Sequence, residues 1–134
     1  MIWMIAEDEA DIRNLVAMMA QAWGHQPIAF ATGGEAWDFL DQVEAGTNSQ
    51  PLPEFALMDI RMPRHTGDEI AHRIRTIPAL QHIPVVLMTA FSLDDEQRAG
   101  MLTNGADRII KKPLPDFMEL KAILDKVIEE KAKA

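Results

Sequence analysis

Apolar residues fall along the chain in two alternating patterns. Continuous apolar runs occupy Ile2–Ala6, residues 55–58 and residues 85–88, the second running into Asp59 to give the segment Phe55–Asp59, with shorter or weaker runs at residues 27–31 and Arg108–Lys111. Between them, apolar residues recur every three or four positions. Continuous runs of four or five suit strands buried on both faces of a parallel sheet, and the wider spacing suits amphipathic helices. The runs are therefore assigned as β1 to β5 in chain order. Ile12, Leu15, Val16, Met19 and Trp23 predict α1 over residues 10–23, ended by Gly24. Thr32 to Glu35 reads as a capping box opening α2, with Ala36, Phe39, Leu40 and Val43 as its inner stripe. Residues 46–54 are polar with two prolines and read as a loop. Thr66 to Glu69 opens α3, whose inner face is Ile70, Ile74 and Ile77. Residues 94–104 form a polar, weakly amphipathic α4, and Phe117, Leu120, Leu124, Val127 and Ile128 mark α5. Five strands alternating with five helices predict an α/β fold, a parallel sheet with helices on both faces.

Composition narrows the function. The 134 residues are 48% hydrophobic and 25% charged, which suits one domain, 1–134, with a real core. A net charge of −8 argues against direct nucleic-acid binding. With no cysteine, disulfides, thiol catalysis and cysteine-based zinc sites are excluded, and a cytoplasmic location is expected. The apolar opening over residues 1–6 is too short to span a membrane and meets Glu7 and Asp8 directly, so no membrane partner is expected.

The chemistry collects at the carboxyl ends of the strands, the edge where open α/β sheets bind ligands. Glu7 and Asp8 follow β1, Asp59 closes β3, Thr89 closes β4 and Lys112 follows β5. Three carboxylates on one edge repel each other, and a divalent cation relieves the repulsion. Mg²⁺ suits such a set, since it takes carboxylates, waters and phosphate oxygens. An aspartate can accept a phosphoryl group as an acyl phosphate, with the metal and a lysine neutralising charge. The four histidines, His25, His65, His72 and His82, lack metal-ligand spacing and read as solvated, with His65 and Arg64 near enough to the site to modulate access. Met18 lies off the α1 stripe and reads as exposed.

Five blocks carry a resemblance: Glu7-Asp8; Met58 to Pro63 with Gly67; Thr89-Ala90; Gly105-Ala106-Asp107; and Lys112-Pro113. In this order they resemble the receiver domain of two-component response regulators, over essentially the whole chain. The resemblance implies a flavodoxin-like, doubly wound five-stranded sheet of order 2-1-3-4-5. It implies that Asp59 accepts a phosphoryl group from a sensor histidine kinase or a histidine phosphotransfer protein. Mg²⁺ would be held by Glu7, Asp8, Asp59 and the backbone carbonyl of Arg61. Thr89, Ala90 and Lys112 would bind the phosphoryl group, with Lys112 pairing with Asp59 beforehand and the Lys112–Pro113 peptide cis. It also implies a phosphoprotein that catalyses only its own phosphorylation and dephosphorylation. The readout would be an unknown downstream protein at the α4–β5–α5 face, or a homodimer. With no output domain after α5, a stand-alone receiver is expected.

One position departs from the pattern. Three residues before Lys112, where the family commonly carries Tyr or Phe, this chain has Ile109, and it contains no tyrosine. The loop after β4 also reads one residue longer than the common pattern. Both predict that switching is routed differently. Two other readings are weighed. An aspartate-nucleophile phosphohydrolase usually carries a second Asp two residues after the nucleophile, where this chain has Arg61. A phosphorylation-independent scaffold would have no need of the complete acid, hydroxyl and lysine set.

Overall fold

The computed structural model describes residues 1–134. Strands β1 (Ile2–Ala6), β2 (Gln26–Phe30), β3 (Phe55–Asp59), β4 (Val85–Thr89) and β5 (Arg108–Lys111) form one parallel sheet of order β2-β1-β3-β4-β5. Helices α1 (Ala10–Ala22), α2 (Gly33–Ala45), α3 (Gly67–Thr76), α4 (Asp95–Thr103) and α5 (Phe117–Lys133) connect or follow the strands. This is the flavodoxin-like order 2-1-3-4-5 expected above.

Side chains of a strand alternate between faces, so each central strand feeds two cores. Trp3, Ile5, Phe55, Leu57, Val86, Met88 and Ile110 pack with α1 and α5. Met4, Ala6, Ala56, Met58, Val85, Leu87 and Ile109 pack with α2 and α3. Such strands have no solvent face, which explains why their sequences are apolar without interruption. Ile70 and Ile74 of α3 are fully buried, and each such side chain contributes roughly 1.5–3 kcal/mol.

The observed elements shift some expectations. Strand β2 begins one residue early, because Gln26 pairs with Ile2 and donates its N–H to the Met1 carbonyl. On α1, Val16 and Met19 are buried but Leu15 is 51% exposed; on α5, Phe117 is 44% exposed. Helical spacing alone counted both as core, but the sheet covers a narrower stripe than the sequence offers. Met18 is exposed as expected. Helix α4 buries no residue and is held at its start by Asp94, which caps the Gln97 N–H. His72 and His82 are exposed, whereas His25 and His65 are not simply solvated. His25 stacks on Trp3 with ring centres 4.6 Å apart, and His65 stacks on Trp37 at 4.0 Å. Arg64, at a positive φ of 74°, packs its side chain toward Gly34 at the start of α2. Both residues flagged for site access thus face α2.

No helix is long and apolar enough to cross a membrane.

Candidate functional site

The register of the parallel strands brings their carboxyl ends level, which gathers residues remote in sequence. Ala6 pairs with Met58 and Asp59 with Met88, so the residues leaving β1, β3 and β4 emerge side by side. Carboxylate oxygens of Glu7, Asp8 and Asp59 all lie within 4.8 Å of one another. Glu7 is completely buried, Asp59 is 7% exposed, and Asp8 opens to solvent. Lys112 enters from the far side of the sheet, its amide donating to the Thr89 carbonyl at 2.7 Å. Its Nζ donates to both Glu7 oxygens, at 3.0 and 3.1 Å, and stands 3.5 Å from Asp59 Oδ1. The Lys112–Pro113 peptide is cis.

This arrangement refines one expectation. Lys112 was expected to pair with Asp59, yet its shorter contacts are to Glu7. A buried carboxylate must be satisfied, and Glu7 has no water to turn to. The Glu7 carboxylate also accepts the Glu9 N–H at 3.3 Å, while its backbone carbonyl accepts from Arg13. The ammonium thus bridges the two acids and lies nearer the more buried one.

Electrostatics follow from the packing. Burial pushes the Glu7 carboxyl above its usual range; the Lys112 hydrogen bond opposes this, and the nearby Asp59 charge adds to it. Burial likewise raises Asp59, opposed by Lys112 and reinforced by Asp8. For Lys112, burial alone would lower the ammonium pKa. The hydrogen bond to Glu7 and the charges of Asp59, Glu7 and Glu9 outweigh it, and the net direction is upward. One cation among three acids leaves excess negative charge on oxygen donors. That donor set suits a small, hard divalent cation.

Other predicted residues are placed less simply. Thr89 reaches the edge, but its hydroxyl is bonded to the backbone of Phe91. Ala90 follows it in the exposed turn. Arg61 follows β3, and its guanidinium lies over the Phe91 ring at 4.0 Å rather than toward Asp59. Ile109 is 4% exposed and faces the α2–α3 side of the sheet.

Gly67 and Asp107 prove structural in a specific way. A Cβ on Gly67 would stand 2.2 Å from the Asp59 carbonyl oxygen, so only glycine lets α3 start against β3. The Gly67 N–H bonds the Ile60 carbonyl at 2.8 Å. Asp107 accepts from the Val85 N–H, Arg75 and Lys131, joining the start of β4 to α3 and α5. Sequence reasoning missed the Arg75 and Lys131 partners and the Arg61–Phe91 stack. A lone charge in a helix or loop carries no signal of its partner.

Beside the acids runs an apolar groove of about 450 Å³ between α1 and the loop after β5, lined by Ile12, Leu15, Met19, Lys112, Leu114 and Phe117, among others.

Comparison with known proteins bears on this geometry. Residues 3–125 match the family described as the response regulator receiver domain. The polar-differentiation response regulator DivK of Brucella ovis is 32% identical over 119 residues, which is 87% of this chain and 89% of that protein. The phosphate regulon transcriptional regulatory protein PhoB of Escherichia coli is 32% identical over 110 residues, 82% of this chain but only 44% of PhoB. The chain therefore spans less than half the length of that relative. The receiver domain of a sensor histidine kinase from Pseudomonas aeruginosa, solved with a magnesium ion in its active-site cleft, superposes with a TM-score of 0.76. It is 23% identical, and the alignment covers 96% of this chain and 97% of that one. A CheY-like receiver domain protein from Methanospirillum hungatei gives 0.79 at 21% identity, covering 98% and 96%. With the sheet order, the acid cluster at its carboxyl edge and these matches together, the chain belongs to the response regulator receiver domain family.

Proposed function

We propose that this chain is a phosphoacceptor signalling module, with residues 1–134 acting as one receiver unit and Asp59 as the acceptor. The observation that carries the reading is the convergence of three carboxylates within 4.8 Å of one another with an ammonium 3.5 Å from Asp59. In the transfer, an Asp59 oxygen attacks the phosphorus of a phosphohistidine. The phosphorus–nitrogen bond breaks, its electron pair stays on the imidazole, and an acyl phosphate forms. Attack by water later returns inorganic phosphate and the free carboxylate.

Each neighbour has a defined task. Glu7, Asp8, Asp59 and the Arg61 carbonyl hold Mg²⁺. The cation, when bound, neutralises charge on the carboxylates and on phosphoryl oxygens. Lys112 balances the charge gained at Asp59, and its Glu7 hydrogen bonds keep the ammonium at that edge. Thr89 Oγ and the Ala90 N–H take the phosphoryl oxygens. The donor is a sensor histidine kinase or a histidine phosphotransfer protein, received at the apolar groove beside the site, where exposed Leu15 and Phe117 offer contact area. The readout is a protein contact at the α4–β5–α5 face, with Asp94, Asp95 and Glu96 set against Lys111, Lys121 and Lys126. The module works in the cytoplasm and turns over nothing but its own acyl phosphate. The phosphohydrolase reading lacks a general acid, since Arg61 occupies that position and stacks on Phe91.

Incubation with Mg²⁺ and acetyl phosphate is expected to add one phosphoryl group per chain, read by intact mass. Asp59→Asn should remove it, and Lys112→Ala should impair the response. Equal labelling of the Asn variant would sink the assignment.

A further inference from the structure

The Thr89 hydroxyl is committed twice to residue 91. Its oxygen accepts the Phe91 N–H at 3.0 Å and lies 3.4 Å from the Phe91 carbonyl as donor. A hydroxyl has one proton to give. While that proton serves the Phe91 carbonyl, it cannot serve a phosphoryl oxygen. Turning that proton to a phosphoryl oxygen breaks the bond to the Phe91 carbonyl and loosens the hold of Thr89 on residue 91.

The side chain of the same residue is also poised between two sites. The Phe91 ring is 49% exposed and carries the Arg61 guanidinium 4.0 Å from its centre. Arg61 lies two residues beyond Asp59, so this stack bridges the loops after β3 and β4. Exposed cation–π contacts are weak and readily exchanged. Phe91 also lines a pocket of about 200 Å³, together with Thr89, Ser92, Leu93, Arg98, Ile109 and Lys111. A cavity of roughly 150 Å³ suffices for a benzene ring. Ile109, 4% exposed, forms an aliphatic wall there. Lys111 Nζ donates to Ser92 Oγ at 2.9 Å, tying the next residue of the loop to β5 and giving residue 91 a fixed point to turn about.

We propose that Phe91 is the moving aromatic of this chain: when Thr89 turns to a phosphoryl group on Asp59, the Phe91 ring leaves Arg61 and enters the pocket beside Ile109. The inference rests on the Asp59 reading above. The acyl phosphate carries about −1.5 to −2 charges where the free carboxylate carried one, and it sets them on three outward oxygens. That charge draws the Thr89 proton inward and offers the Arg61 guanidinium a stronger partner than the ring. Both effects release residue 91, and the ring then has apolar surface to cover. The side chain absent from position 109 is thereby supplied from position 91.

The test uses the full chain carrying 4-fluorophenylalanine at its five phenylalanines. Fluorine NMR resolves the lines, and Phe91→Leu identifies the Phe91 line by its loss. Spectra are taken with Mg²⁺ alone and with Mg²⁺ plus acetyl phosphate, with intact mass measured on the same sample. In the phosphorylated fraction the Phe91 line should shift, and its broadening by a soluble paramagnetic agent should fall several-fold. The line of fully buried Phe55 should not change. In Ile109→Phe, which fills the pocket, the Phe91 line should keep its resting position although the mass rises. A raised mass with an unmoved, still accessible Phe91 overturns this inference and leaves Asp59 as acceptor. An unchanged mass overturns the acceptor assignment and this inference with it. If Ile109→Phe does not fold, the wild-type pair of spectra decides alone.

Discussion

Glu7 and Asp59 are carboxylates held out of water with a single lysine to share. A site built this way sacrifices stability for chemistry, because a buried acid whose pKa is raised is being asked to carry a charge its surroundings disfavour. Asp59→Asn keeps the shape and removes one of the converging charges, while Lys112 retains its two bonds to Glu7. In the absence of divalent cations this variant should be more stable than the wild type by on the order of 1 kcal/mol, seen as a Tm higher by about 2–5 °C. A lower Tm would mean that the Lys112–Asp59 attraction outweighs the repulsion. His25 illustrates the opposite kind of residue. Burial against Trp3 lowers its pKa from 6.5, and the neighbouring Met1 ammonium lowers it further. A base whose folded pKa is depressed contributes stability that is full above the unfolded value near 6.5 and is lost as pH falls through the lower folded value. Chemical denaturation between about pH 7.5 and 5 should therefore lose stability more steeply in the wild type than in His25→Phe. The difference should be on the order of 0.5 kcal/mol, since the ring is only partly buried.

At the scale of elements, the strand-to-helix junctions do most of the positioning. The β3–α3 junction is tight: Gly67 sits against the backbone of Asp59, and Thr66 donates both its N–H and its hydroxyl to Glu69. Gly33 repeats the device at the start of α2, where a Cβ would overlap the His65 carbonyl. These helices start where they do because small residues admit a neighbouring backbone. Gly67→Ala should cost about 1–3 kcal/mol by overpacking. It should also slow labelling of Asp59, whose own carbonyl must move to make room; urea denaturation and the labelling rate measure the two effects. Full stability in Gly67→Ala would show that α3 can slide away freely. Helix α4 lies at the other extreme, with no buried residue and a capped first turn. Its weak amphipathic pattern was legible in the sequence; that none of its residues is buried shows only in the structure.

For the whole molecule, sequence and structure divide the information by range. The fold was readable because a parallel sheet covered on both faces imposes uninterrupted apolar strands, and the helices between them impose their own period. Boundaries came out within a residue or two, as at β2, where a hydrogen bond from Gln26 to Met1 set the start. The acids and the lysine were readable because each interrupts or ends such a run at an edge that topology makes a binding edge. Leu15 and Phe117 were misjudged as core because periodicity marks a face but not how much of it a neighbour covers. The sequence by itself determined which elements form, their alternation and which ionisable groups stand at the strand ends, since these depend on neighbours a few residues apart. Only the tertiary structure decided that Lys112 bonds Glu7 more closely than Asp59, across 105 positions, and that Arg61 lies on Phe91. Those choices turn on differences of a fraction of an ångström between side chains with several staggered rotamers each. Packing around them selects among those rotamers, and no local pattern encodes that selection.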